Sequence, residues 1–595
     1  MKISRRCFVF ILLMAGVFPL VLTACNSTTP EPPTATPEPT ATPAPTSTPL
    51  PTPTLTPTPD PAAFIEEAES RFWQSDLEGA VALYQKALEV QPDYVPAYVG
   101  LSWMESWRSA ENSEAVLEYA QKAVEVAPDD AMAQATLARA YLMRDEAAKA
   151  LEAAEKAVAL DPQSAYVQSA LTQAYLLDSR YDEAQKAAET AYTLDPESLD
   201  ARYALAGFYR ETSDFARARV IYEQTVALKP EFFGTYKLLG RFWLLRERYD
   251  EAEAALNKAL ELLPQDFDSM LSLAEVYIAR HDYESAKSWL EKAEASATEA
   301  EKAAIYVERG YLYYQKQEYD EALTHLNQAL KLRPDDYNVR LQIGFVYLGK
   351  EECSRAEREF QSLTEAQPRF IGAHVGIGFA KLCDGDAAKA LTYFRKAIQI
   401  DPYSVSAYRG MGIAYAEQER WEDSDAAYIE AMRLSPAPAT LHVDLGQSYL
   451  QQEKTDEAKA EYQLAVKLNP YSQDALIGLA RIMLNQQQEE QALRVIQEAA
   501  ALDDSKKDVQ YLLGILTVLR GDPQAGAAIL ENVLVEDPEN AYAHYFLGVA
   551  YCEMGRYRDA KKSLETYQAL ADTQQDYQLQ NFMTALDKGF KLADD

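Results

Sequence analysis

Between residue 62 and about residue 574, apolar side chains recur at three- and four-residue spacing, which places them on one face of a helix. The stretches come in pairs, and prolines punctuate the pairs: Pro92, Pro128, Pro162, Pro196, Pro230, Pro264, Pro334, Pro368, Pro402, Pro436, Pro470 and Pro538. Most gaps are 34 residues, the first is 36, and two double gaps of 70 and 68 have each lost one proline. A fixed period of this length signals stacked two-helix units, none of which buries its apolar face alone. Three further positions repeat with the prolines. A glycine or small residue stands 24 before (Gly240, Gly310, Gly344, Gly378), an aromatic three further on (Trp243, Tyr313, Tyr347), and an alanine 12 before (Ala252, Ala322, Ala356, Ala390). The small residues let two helix axes approach, and the aromatic fills the space beside them. The proline ends the second helix and turns the chain into the next unit.

The pattern has departures. The unit between Pro264 and Pro334 lacks its proline and runs two residues long through Ala295 to Glu301, a helix-prone stretch expected to change the pitch of the array. Asp504 stands where another proline would, and Gly521-Asp522-Pro523 reads as an interruption of the next unit. After Asp572, Leu579, Phe582, Met583, Leu586 and Phe590 line one face of a final helix, as expected of a cap on an open solenoid end at 575–595.

The repeated residues resemble the tetratricopeptide repeat (TPR) family. Tyr337 to Phe370 shows it best, with Gly344, Tyr347, Ala356 and Phe360 closing at Pro368. The resemblance covers about fifteen units and implies an all-α solenoid, a right-handed superhelix of helix-turn-helix repeats. It also implies that first helices line a concave groove for protein partners. The two-residue irregularity divides the array into 62–302 and 303–574.

The first sixty residues differ in kind. Lys2, Arg5 and Arg6 precede an uncharged apolar run from Cys7 to Thr23, the layout of a secretory signal over 1–24. Leu22-Thr23-Ala24-Cys25 resembles the lipobox of bacterial lipoproteins, which implies cleavage before Cys25 and a diacylglyceryl group on its thiol. With two or more acyl chains such an anchor is stable, which implies a lipid-anchored protein on the extracytoplasmic face of the cell membrane. An uncleaved membrane anchor is the alternative, but the run is short for a bilayer span of about 20 residues. Ser4-Arg5-Arg6-Cys7-Phe8 also resembles a twin-arginine motif, although the greasy run after it favours ordinary secretion. The remainder of 25–61 carries thirteen of the chain's 29 prolines, mostly as Thr-Pro and Ala-Pro pairs. Neither helix nor sheet tolerates that, so this segment reads as a disordered stalk able to reach on the order of 100 Å as polyproline II.

Charge narrows the partners. With 57 Lys and Arg against 92 Asp and Glu, the net charge of −35 opposes nucleic acid and anionic lipid headgroups. Catalytic signatures are missing: there is no H-E-x-x-H, phosphate-cradling glycine loop or nucleophile elbow. Of the five histidines, His374, His442 and His544 share one slot, a packing or groove position that cannot gather three or four zinc ligands. No cofactor, metal or small-molecule substrate is expected, and the chain reads as no enzyme. Cys353 and Cys383 lie one repeat apart, so a bridge is conceivable. Neighbouring repeats nevertheless stand farther apart at that edge than the Cα separation of about 7 Å that a disulfide allows.

The TPR resemblance also places the groove. Its inner slots give two ladders, Tyr311, Phe345, Phe379 and Tyr314, Leu348, Leu382, beside Val307, Leu341 and Val375. Upstream slots hold Arg210, Lys237 and Arg241 near Asp200 and Glu211. The expectation is an apolar groove for a helix or extended segment of a protein partner, with the basic patch meeting an acidic flank. Tighter winding that buries the ladders between repeats is the competing expectation. Apolar slots argue against a chaperone that clamps a carboxylate tail with lysines and asparagines. The function that follows is a lipid-anchored scaffold in envelope assembly or secretion. The alternatives are a non-catalytic subunit of a polysaccharide-export or glycosyltransferase machine, or a structural spacer.

Overall fold

The computed structural model describes residues 60–435 and 439–571. The signal, Cys25, the stalk up to Pro59 and the 575–595 cap lie outside the described residues. Those described form fifteen helical hairpins, from Pro61–Trp73 with Leu77–Val90 to Ala541–Glu553 with Tyr557–Leu570. Helices are 13 or 14 residues long, and each hairpin packs on the next. We number the hairpins 1 to 15.

The repeated slots do what their chemistry predicts. In hairpin 9 (Tyr337–Gly349 and Cys353–Ala366) a Cβ on Gly344 would sit 2.4 Å from the Phe360 ring, and Ala356 is fully buried. The repeated aromatics lie under basic residues of the hairpin turn, as Arg180 lies over Tyr175 at 4.5 Å and Arg420 over Tyr415 at 4.4 Å. In fourteen hairpins a turn residue is left-handed, as at Glu351 with φ 59°, and glycine supplies it at Gly385, Gly521 and Gly555. Gly521-Asp522-Pro523 is therefore no interruption. Asp522 caps the helix Pro523–Glu536 by accepting from Ala525 N at 3.0 Å, and Pro523 fills the first position, where no amide bond is lost.

The shared histidine slot lies six residues past the proline of its loop; His442 meets Glu461 Oε2 at 2.6 Å, and the other two reach back to that proline's carbonyl. His374 Nε2 stands 2.8 Å from Pro368 O and His544 Nε2 3.0 Å from Pro538 O. Gln134 and Gln168 donate to Pro128 O and Pro162 O in the same way, at 2.7 and 2.9 Å. The slot closes the loop between repeats.

At the irregularity the helix-prone expectation is overturned. Helix Tyr283–Ser296 stops, and residues 297–301 form a turn before Lys302–Gln315. Glu301 Oε2 accepts from Thr298 N at 2.7 Å and from Thr298 Oγ1 at 2.9 Å, which satisfies polar groups that a continuous helix would satisfy along its axis. Arg333 holds the turn by donating to Ala300 O at 2.7 Å.

Successive superhelical turns touch. Glu111 pairs with Arg333 across 222 residues, about six and a half periods of 34, and both side chains are buried. The same spacing brings Tyr181 OH to Asp401 Oδ1 at 3.0 Å, Asn469 Nδ2 to Glu247 Oε2 at 3.5 Å and Tyr471 OH to Asp250 Oδ1 at 3.3 Å. Rings add to the seam: Tyr181 meets Tyr403 at 4.8 Å between centroids, and Arg280 lies over Tyr471 at 5.2 Å. Hairpin turns of one superhelical turn thus abut the inter-repeat loops of the next.

The N-terminal end winds tighter still. Phe72, Trp73, Trp103 and Trp107 gather around Phe232, with Phe72 4.6 Å and Trp107 5.1 Å from its ring. Ser75 Oγ donates to Glu231 O and accepts from Phe233 N, both at 2.9 Å. Hairpins 1 and 2 therefore fold onto the inner side of hairpins 5 to 7 and plug that end.

Candidate protein-binding groove

The inner slots belong to the first helices of hairpin 8 (Lys302–Gln315 with Tyr319–Leu332), hairpin 9 and hairpin 10 (Ile371–Cys383 with Ala387–Ile400). They do line one face, but that face is closed. Tyr314 and Phe345 are 3% exposed, and Leu348, Phe379 and Leu382 are 1% exposed. Only Tyr311 is half-buried. Phe345 meets Phe360 at 5.2 Å and Phe379 at 6.5 Å, and Phe379 meets Phe394 at 5.3 Å, so the ladder packs both on its own second helices and along the array. Val307, Leu341 and Val375 are buried as well. The expectation of an open apolar groove at Tyr314, Phe345, Leu348, Phe379 and Leu382 is corrected: these side chains are core. The physical reason is winding, since a turn of about six and a half repeats carries the inner face close to the axis.

The basic patch is corrected too. Lys237 is 4% exposed and donates to Asp266 Oδ1 at 3.1 Å, Asp268 Oδ2 at 3.0 Å and Trp107 O at 3.0 Å. Its carboxylates offset the cost of burial and hold its ammonium above the usual lysine range. Arg241 faces Glu275 and Glu308 on the next two hairpins. Burial pushes the Glu275 carboxyl up to about 7. Glu308 is raised further by burial and by Glu275 beside it, and its Oε2 is buried without a hydrogen-bond partner. Arg210 stays partly accessible, 38% exposed, but is held by Glu211 at 2.6 Å. Asp200 pairs with Arg139 rather than with a visitor. Lys237 and Asp200 are thus satisfied by adjacent or next-adjacent repeats, and Arg210 by its own helix.

Three features were missed or left open by the sequence. The first is Arg409 with Asp444, an ion pair at 2.5 Å with both side chains at most 5% exposed. The second is the bridge between Cys353 and Cys383, whose Cα atoms lie 5.7 Å apart. Repeats are well separated on average, but the start of one second helix abuts the end of the next first helix, which corrects the expected distance. The third is the seam. Its signal was available: Tyr403 and Tyr471 directly follow their prolines, where most repeats carry a small or charged side chain.

Among the described residues no cluster of three or more His, Cys, Asp or Glu side chains could hold a metal ion. What the fold defines is a helical-repeat scaffold, closed along its length and filled at one end.

Comparison with known proteins agrees on the class. Tetratricopeptide repeat families match residues 107–165, 244–305 and 518–585. The anaphase-promoting complex, cyclosome, subunit 3 family matches 178–259, and the cilia and flagella-associated protein 70 C-terminal domain matches 301–512. Tetratricopeptide repeat models thus match several separate stretches of the chain, in keeping with its helical-hairpin fold. No curated protein matches it. Among solved structures it is similar to the APC/C hetero-tetramer Cut9-Hcn1, at 15% identity and a TM-score of 0.52, covering 83% of this chain and 96% of that one. A thermophilic TPR protein of Thermus thermophilus is 22% identical, with a TM-score of 0.29 and coverage of 31% of this chain and 99% of that one.

Proposed function

We propose that the chain is a protein-binding scaffold held on the extracytoplasmic face of a membrane by lipid on Cys25, acting in envelope assembly or secretion. The observation that carries the location is the bridge between Cys353 and Cys383, because structural disulfides persist in oxidising compartments and are rare in reducing ones. The basic-apolar-Cys pattern at the N-terminus supports the same address. The scaffold role rests on the repeat array, a fold that offers long surfaces to other proteins.

A second reading, the structural spacer, is favoured by one observation: the inner face of hairpins 8 to 10 is already filled by its own side chains. A rod of this kind needs no ligand in its groove. The test is crosslinking in living cells with mass spectrometry, on the wild type and on Cys25→Ala. The scaffold reading expects one or a few specific protein partners, recovered from the membrane fraction and lost with the anchor. No specific partner from the anchored wild type would leave the spacer reading. Tight membrane attachment of Cys25→Ala would overturn the lipid anchor.

A further inference from the structure

Two first helices of the array end in the same electrostatic device. Arg280, at the C-cap of Phe267–Ala279, reaches Asp250 at 2.6 Å and Glu253 at 2.5 Å, thirty and twenty-seven residues earlier in the preceding hairpin. Lys350, at the C-cap of Tyr337–Gly349, reaches Asp320 at 2.5 Å, again thirty residues back. Arg246 holds the same place at the C-cap of Phe233–Leu245. The two positions that should receive it carry Ala216 and Arg219. Neither position offers a carboxylate, and one carries a positive charge.

Arg246 accordingly has no ion-pair partner among the described residues, and its Nε is buried without a hydrogen bond. Its guanidinium lies over the Phe215 ring at 5.3 Å. Burial, with Arg219 and Arg248 nearby, pushes its proton affinity below the usual arginine range. An uncompensated, half-buried cation is anomalous in a chain of net charge −35.

The anomaly falls on the seam. At other steps the seam joins complementary groups, as in Glu111 with Arg333 or Tyr471 with Asp250. At this step the next superhelical turn brings a second arginine, Arg433. Between the two lies a cavity of about 390 Å³, walled by residues 212–216, Arg246 and Arg433. Its one carboxylate, Asp214, is already engaged by Arg217 Nε at 2.5 Å and by Arg217 N at 3.1 Å. Arg433 shares its charge with Glu430 at 2.6 Å. The unpaired Arg246, with Arg433 held along one edge by Glu430 through Nε at 2.9 Å and Nη2 at 2.6 Å, thus borders a space lined by no free carboxylate among the described residues.

We propose that this cavity is an oxyanion site. It takes a phosphate or carboxylate group, which fills on Arg246 the place that Asp250 and Glu253 fill on Arg280. Charge-assisted hydrogen bonds to the two arginines join hairpin 6 to hairpin 11 across the seam, at a step where the described residues make no such bond of their own.

The test is thermal unfolding of the full chain in potassium phosphate, potassium glutarate and potassium chloride at matched ionic strength, which removes screening as a cause. The expected result is a saturable rise in Tm of about 1–2 °C over chloride, since a ligand that binds only the folded state stabilises it. A rise in phosphate alone assigns a phosphate, and a rise in glutarate as well assigns any oxyanion. The rise should vanish in Arg246→Gln, which removes an unpaired charge and should not impair folding. Ala216→Asp should restore the internal partner, raise Tm in chloride by a similar amount and abolish the anion response. No saturable rise in either anion, or an undiminished rise in Arg246→Gln, overturns the site.

Discussion

The inner face changes character along the array without changing its geometry. Hairpins 5 to 7 fill it with charges, where Lys237 meets Asp266 and Asp268, and Arg241 meets Glu275 and Glu308 on hairpins 7 and 8. Hairpins 8 to 10 fill the same slots with Tyr314, Phe345, Leu348, Phe379 and Leu382. Both stretches are enclosed, the charged one also by hairpins 1 and 2, whose Trp107 carbonyl meets Lys237. The apolar stretch gains from burial in proportion to area. The charged stretch loses solvation and recovers it only by pairing, so each member depends on its partner. Side-chain polarity in an inner slot therefore does not report whether that slot is open to a ligand.

The comparison can be broken most forcefully in the apolar half. Leu348→Asp places a carboxylate at a site that is 1% exposed, and should lower stability by roughly 4 kcal/mol or more, read by urea denaturation. Near-neutral behaviour there would mean that the ladder faces solvent. In the charged half, Lys237→Met should cost about 3 kcal/mol because Asp266 is left buried and unpaired, whereas Lys237→Met with Asp266→Leu should recover much of the loss. If the double variant is as unstable as the single, the pair is not the unit that matters. The bridge between Cys353 and Cys383, which closes a 30-residue loop beside the apolar ladder, should contribute about 2–3 kcal/mol, measured as the difference between oxidised and reduced protein.

The smallest effect belongs to the charged half alone. Glu275 and Glu247 have carboxyls raised by burial to about 7. A carboxyl raised in the folded state favours folding when protonated, and that contribution is lost as pH rises from the unfolded value near 4.5 through about 7. His281, which burial lowers to about 4, acts oppositely and weakens the fold as pH falls below 6.5. Between pH 6.5 and 8 the carboxyls govern, so Tm should fall as pH rises. Glu275→Gln should flatten that slope, and an unchanged slope would remove Glu275 from the account.

Much of the architecture was legible from punctuation. The prolines, the glycines such as Gly344 and the alanines such as Ala356 act within or between adjacent helices, so their period fixes the hairpins directly. The winding was not legible, because it sums small rotations between repeats that no single slot encodes. Phe345 reads the same in an open groove and in a closed one. The contacts that distinguish the two, such as Glu111 with Arg333, lie 222 residues apart and use residue types that differ from step to step, so Tyr403 and Tyr471 were the visible hint. The basic patch failed for a related reason: the partners of Lys237 sit on the following hairpin, where they look like solvated acids on a helix start.

Closure of the superhelix is the central claim, and the seam tests it directly. The rings of Tyr181 and Tyr403 lie 4.8 Å apart although 222 residues separate them in sequence. In Tyr181→Cys with Tyr403→Cys, mild oxidation of the native protein should form an intrachain crosslink, seen as a faster-migrating band that reductant removes and neither single variant gives. Absence of that crosslink in protein shown to be folded would mean that the turns stand apart, and that the ladders from Tyr311 to Leu382 face an open groove after all.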